Sequence, residues 1–192
     1  MPLCHKRKIA FIHIPKTGGQ SIIRMFDFET DISHFYGHFS LNQLENKINL
    51  KDFFKFSFVR NPFERLLSDF SFRPKNGPFF QTIKLKKYTF DCFVHKLYEY
   101  QLINLTHFDT EKANLNPQYT FFENENKLDF LGRFENFTND LQSLLQRYNI
   151  KKPLCHANKT NHTNYKNYYT LSTKKIVESM YEEDLNKFNY QF

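Results

Sequence analysis

The run IAFIHIPKTGGQSII, residues 9–23, constrains this chain more than any other stretch. Residues 8–13 are a short β-rich apolar run, the pattern of a buried parallel strand. Residues 15–19 read as a turn and residues 20–26 as a helix. Gly18 and Gly19 have no side chains, so the backbone there can adopt positive φ and approach a ligand closely. The first N–H groups of the helix point outward and carry about half a positive charge, which makes a seat for phosphate. Lys16 adds a full charge, and the Thr17 and Ser21 hydroxyls can donate to phosphate oxygens. Strand, turn and helix in this order are the context such a motif needs. A plain Gly-Gly turn is the bland alternative; Lys, Thr and Ser around the glycines argue against it.

The usual ATP-binding loop has its Lys after the last glycine. Here Lys16 precedes both. The next strand ends in Val59-Arg60, with no Asp to hold magnesium. Phosphate binding without a metal is therefore the expected chemistry.

The rest of the chain alternates strands and helices. Residues 39–46 suit a short helix with Ser40 as cap. Residues 53–59 (FFKFSFV) read as a strand. Asn61 caps and Pro62 opens a helix to about Phe72, since Pro is well placed where no N–H is needed. Residues 73–77 break it. Residues 89–104 read as a long helix, and residues 118–122 and 129–133 as two short strands. Asn136 or Thr138 starts a helix whose Leu141, Leu144, Leu145 and Tyr148 form an amphipathic stripe. Residues 152–168 are a polar loop, and residues 172–181 a last helix with Ile176, Val177, Met180 and Tyr181 inward. This order predicts one domain over residues 1–192, a three-layer α/β/α fold on a mainly parallel sheet.

A second anchor is FVRNPFERLLSDF, residues 58–70. Arg60 falls at the carboxyl end of its strand, the edge where open α/β sheets bind ligands. Ser68 lies about two helical turns on and can face the same crevice. Together they could hold a second phosphate, with the guanidinium gripping it in bidentate fashion. Arg65 reads as structural, with Asp69 at i+4 a candidate partner.

At this point the chain resembles the sulfotransferases that use 3′-phosphoadenosine 5′-phosphosulfate (PAPS). FIHIPKTGGQSI is similar to their 5′-phosphosulfate motif and FVRNPFERLLSDF to their 3′-phosphate motif, about 40 residues apart. The likeness continues through FLGRFENFTNDLQSLL, HANKTNHTNYKNYY and EEDLNKFNY, while residues 72–115 match no pattern. It is nearest to the membrane-type carbohydrate enzymes, including the heparan sulfate 2-O type. The resemblance implies a P-loop NTPase-like sulfotransferase fold. It implies that Lys16, Thr17, Gly18, Gly19, Gln20 and Ser21 hold the 5′-phosphosulfate, and that Arg60 and Ser68 hold the 3′-phosphate. Gln20 departs from the family's more usual Thr or Ser. Lys159 and Thr160 fall in what resembles the loop over the cofactor.

Sulfuryl transfer to an alcohol needs a base, in-line geometry and stabilisation of the leaving phosphate. Histidine suits the first task near neutral pH. Of eight histidines, His38 is the candidate: it lies between the two phosphate motifs, and Gly37-His38 resembles the Gly-His element of the 2-O-type enzymes. Lys16 would stabilise the leaving oxygen. His34 is the rival. His13 reads as a hydrogen-bonded core residue, and Glu29 and Asp31 are carboxylate alternatives.

Composition narrows the partners. The net charge is +7, which favours anionic ligands without choosing among them. Two other readings stay open: a magnesium-dependent nucleotide-binding or phosphoryl-transfer protein, and a basic nucleic-acid-binding module. No basic stripe with interleaved aromatics supports the latter. The expected acceptor is a hydroxyl, of a carbohydrate by the resemblance, met by residues 73–87 and 98–117. There Arg73, Lys75, Lys84, Lys86 and Lys87 could face an anionic glycan or simply be solvated. Cys4, Cys92 and Cys155 are sparse and unpaired in pattern, which suits a reducing compartment and no zinc site. The four Asn-x-Ser/Thr sequons, at Asn104, Asn136, Asn158 and Asn161, fit an Asn-rich composition. With no signal peptide or apolar run of membrane length, the expected location is the cytoplasm, or the Golgi lumen for a truncated chain.

Overall fold

The computed structural model describes residues 2–26, 28, 38–75, 77–85, 87–100, 113–153 and 164–192. In chain order its elements are β1 (Leu3–Cys4), β2 (Ile9–Ile12), α1 (Gly19–Phe26), α2 (Leu41–Glu45), β3 (Phe54–Val59), α3 (Pro62–Phe72), α4 (Pro78–Thr82) and α5 (Phe90–Glu99). They continue as β4 (Phe130–Arg133), α6 (Phe137–Arg147), α7 (Leu171–Met180) and α8 (Glu182–Lys187). The fold is α/β, with a four-stranded, mostly parallel sheet flanked by helices. Strand order is β1-β2-β3-β4; β1 runs antiparallel to β2, and the other two pairs are parallel. No helix among the described residues is long and apolar enough to cross a membrane.

The chain divides into two compact units. The first comprises Met1–Arg60 and Gln118–Lys159 and holds the sheet. Both faces of its central strands are buried: Phe11, Phe56 and Phe58 on one, Ala10, Ile12, Ser57 and Val59 on the other. Two-sided burial explains why these strands read as nearly continuous apolar runs. Ser57 is the polar exception, and its hydroxyl donates to Ile12 O at 2.7 Å. The Phe face is an aromatic stack. Phe11 lies on Phe56 at 4.9 Å, and Phe26 joins them at 5.6 Å from Phe56. Each fully buried Phe contributes roughly 1.5–3 kcal/mol, so this stack dominates the unit's core. Ile22 and Met25 from α1 and Leu141, Leu144 and Leu145 from α6 close over it. Gly132 of β4 has no room for a Cβ, because the Phe58 ring occupies that space.

The second unit comprises Asn61–Pro117 and Thr160–Phe192. Its core joins Phe63, Leu66 and Leu67 of α3 to Phe93, Val94 and Leu97 of α5, and to Val177 and Tyr181 from the C-terminal helices. A buried polar network runs through it. Arg65 donates to Asn114 O and Asn116 O, each at 3.0 Å. Asp69 accepts from Arg73 Nε at 2.6 Å and Asn114 Nδ2 at 2.9 Å. Arg65 is structural as expected, and the Asp69 carboxylate is paired with Arg73. The Tyr181 hydroxyl donates to Leu115 O at 2.8 Å, and burial pushes its pKa far above the usual phenol value.

Local signals explain most boundaries. Ser40 and Gln43 form a capping box on α2, and the Asn61 side chain accepts from Phe63 N with Pro62 at the first turn of α3. Residues 118–122 are the exception. They form a 3-10 turn, Gln118–Phe121, and not a strand. Pro117 cannot donate to a ladder, and the Gln118 side chain takes up the backbone bonding instead. Helix α5 spans Phe90–Glu99 within the expected 89–104; residues 101–104 lie outside the described residues.

Candidate active site

The carboxyl ends of β2, β3 and β4 open on one edge of the first unit, where ligands of parallel sheets bind. From β2 the chain enters the loop Pro15–Lys16–Thr17–Gly18 and then α1. Lys16 has φ +69° and Gly18 φ +86°. The left-handed turn at Lys16, which is not a glycine, costs energy and is held by neighbours on both sides. Thr17 is fully buried, and its hydroxyl donates to Ile14 O at 2.8 Å. That commits its only hydroxyl proton to bracing the loop. Ser21, also buried, turns its backbone N–H back to Gly18 O at 3.0 Å. The first N–H groups of a helix have no partner within it, so this end of α1 offers donors. A Cβ on Gly18 would stand 2.6 Å from Phe137, and one on Gly19 would overlap the His13 ring. The loop therefore accepts only glycine at both positions. Backbone amides, a lysine and a hydroxyl at a helix start make a donor set that fits a phosphate or sulfate oxyanion.

Arg60 leaves the end of β3 and reaches this loop. Its Nη1 donates to Lys16 O at 3.1 Å, and its guanidinium lies 3.9 Å from the Phe134 ring centroid. The side chain is almost wholly buried. The two motifs read from sequence are thus joined by one arginine. The Arg60 backbone is held by Gln118: Arg60 N donates to Oε1 at 2.9 Å, and Nε2 donates to Arg60 O at 2.8 Å.

His38 also sits at this edge. Its Nδ1 is 3.1 Å from His13 O. A carbonyl can only accept, so Nδ1 carries the proton and Nε2 is the basic nitrogen. The His38 ring meets the His13 ring edge-on at 4.7 Å, and Phe11 stacks on His13 at 5.3 Å from the other direction. His13 keeps a little exposed surface, yet its ring is enclosed. Burial first, then the nearby His38 and the N-terminal charge, hold its pKa well below 6.5. It is neutral at pH 7.

This carries a stability prediction. Between the folded pKa of His13 and 6.5, the unfolded chain binds a proton that the folded chain refuses. Stability therefore rises with pH through that window and is lost as pH falls below about 6.5. Urea midpoints measured from pH 7.5 down to 5.5 should decline, and the decline should be shallower in His13→Phe, which keeps a ring but cannot titrate.

Of the remaining expected site residues, Ser68 and Gln20 are described. Ser68 is buried on α3 in the second unit, on the helix face shared with Arg65. Gln20 is exposed in the first turn of α1. Lys159, Thr160, His34, Glu29 and Asp31 lie outside the described residues. The His13 ring is enclosed, as expected of a core histidine, and its carbonyl also serves the edge by accepting from His38. Gln118, Phe134 and Phe137 were not anticipated. The aromatic spacing in GRFENF could have marked the last two, since it follows a strand end; nothing local marks Gln118.

A family model described as the Sulfotransferase family matches residues 2–191. No curated protein and no solved structure matches the chain. The match spans almost every residue, including the loop at residues 15–18, Arg60 and the edge between them, and on that basis the chain belongs to the sulfotransferase family.

Proposed function

We propose that this sulfotransferase moves a sulfuryl group from PAPS to a hydroxyl, on a carbohydrate acceptor, with His38 as base. The observation that carries the reading is the junction at the sheet edge. Lys16 and the start of α1 supply oxyanion donors, Arg60 is tied to the Lys16 carbonyl, and His38 is fixed to the same strand end. In the proposed roles, Lys16, Gly18, Gly19, Gln20 and Ser21 hold the 5′-phosphosulfate, with Thr17 bracing the loop. Arg60 and Ser68 take the 3′-phosphate, as the family likeness implies, and Lys159 and Thr160 the cover. The acceptor hydroxyl gives its proton to His38 Nε2 while its oxygen bonds to sulfur. The bond from sulfur to the bridging phosphate oxygen breaks, and Lys16 neutralises the charge that grows there. No residue is assigned to a metal. The sparse cysteines support a cytoplasmic setting.

Calorimetric titration with adenosine 3′,5′-bisphosphate and with ATP plus magnesium tests the donor. Tighter binding of the bisphosphate, unaffected by chelator, is expected; preference for ATP with magnesium would replace this reading with phosphoryl transfer. Labelled PAPS screened over glycans and small alcohols then identifies the acceptor.

A further inference from the structure

Arg60 stands one residue past the end of β3. The parallel pairing of β3 with β4 stops at Val59↔Arg133, so the Arg60 N–H and C=O have left the ladder. Both are in a buried stretch, and an unsatisfied buried backbone group costs about 1–3 kcal/mol. The fully buried Gln118 amide answers both at once, accepting from Arg60 N at 2.9 Å and donating to Arg60 O at 2.8 Å. A primary amide presents one acceptor and one donor side by side without having to titrate, so it can make both bonds at any pH. It acts as a one-residue strand laid against Arg60. The partner comes from 58 positions away in sequence, so the clamp also fixes where the Gln118–Phe121 turn begins.

The clamp governs where the guanidinium can go. Arg60 fills a narrow slot between Lys16 O and the Phe134 face. Rotation of the Arg60 peptide would swing the whole side chain out of that slot, because φ and ψ at one residue set the direction of its Cα–Cβ bond. We propose that Gln118 is a positioning residue: by bonding both backbone groups of Arg60 it sets the aim of the guanidinium on the nucleotide's 3′-phosphate. The inference rests on the proposed function, which assigns that phosphate to Arg60. Gln118 itself touches no reacting atom.

The measurement is the 3′-phosphate preference, taken as the ratio of dissociation constants for adenosine 5′-monophosphate and adenosine 3′,5′-bisphosphate. Gln118→Met keeps the length and loses the amide. It should shrink the preference about tenfold, equal to about 1.4 kcal/mol, and raise KM for PAPS more than it lowers kcat. Affinity for the 5′-monophosphate should stay near that of the unchanged protein. In an Arg60→Ala background the same substitution should cost no further preference, since the group it aims is gone. Should Gln118→Met fail to fold, Gln118→Asn keeps the amide but is too short to make both bonds, and the same loss is expected. A preference retained in a folded Gln118 variant overturns the positioning role, as does a loss that adds fully to that of Arg60→Ala. An unchanged protein with no 3′-phosphate preference overturns the proposed function, and this inference with it.

Discussion

Replacing His38 by alanine is expected to lower kcat by about 10²–10⁴-fold, the usual contribution of a positioned general base, while leaving the affinity for adenosine 3′,5′-bisphosphate within about twofold. The argument is geometric. The His13 carbonyl holds the Nδ1 proton of His38 at 3.1 Å, so the imidazole is kept in the tautomer whose Nε2 can take a proton. The rings of His13 and His38 meet edge-on, which limits how far that nitrogen can wander. The held carbonyl is a backbone group and stays in place when only side chains change. His38→Ala therefore removes the proposed base without removing the loop proposed to grip phosphate. Turnover should be followed with PAPS saturating, so that binding is not confused with chemistry. A variant that turns over like the unchanged protein would place the base elsewhere, with His34, Glu29 and Asp31 next to be replaced.

How much of this was legible in the sequence varies with the reach of the interactions. The start of α3 was readable because Asn61 and Pro62 act on the residues beside them, and the structure starts and ends that helix at Pro62 and Phe72. The same holds for Ser40 and its capping box, and for the glycines at the head of α1. Strand β1 was missed because it has two residues, Leu3–Cys4, and exists only as an antiparallel partner for β2. The turn at Gln118 was misread as a strand because its amide is spent on a backbone brought near by folding. The core reading of His13 fits its enclosed ring, but its packing against the start of α1 depends on a Cβ that Gly19 lacks, and no periodicity within the strand reports that. The site was therefore visible where one short segment makes it, and invisible where two segments share it.

Gly19→Ala should be the most damaging single-methyl change at the edge, with kcat/KM falling by at least about 10²-fold. The added Cβ would overlap Nε2 and Cδ2 of His13 and stand 2.8 Å from its Cε1. Contacts this close force something to move. The His13 ring is poorly placed to yield, since Phe11 stacks on it at 5.3 Å and His38 meets it at 4.7 Å. Either the ring shifts and carries His38 with it, or the start of α1 lifts and the loop opens. Both displace groups assigned to the reaction in the proposed function, and a misplacement of about 1 Å is enough for that loss. Overpacking should also lower stability by about 1–3 kcal/mol, read as a drop in Tm. The two causes separate in the double variant. His13→Ala removes the ring but leaves the carbonyl that orients His38, so adding it to Gly19→Ala should restore nucleotide binding and most of the lost Tm. That makes the two substitutions strongly non-additive. Additive losses, or a Gly19→Ala enzyme with ordinary kcat/KM, would mean that the His13 ring does not confine the start of α1.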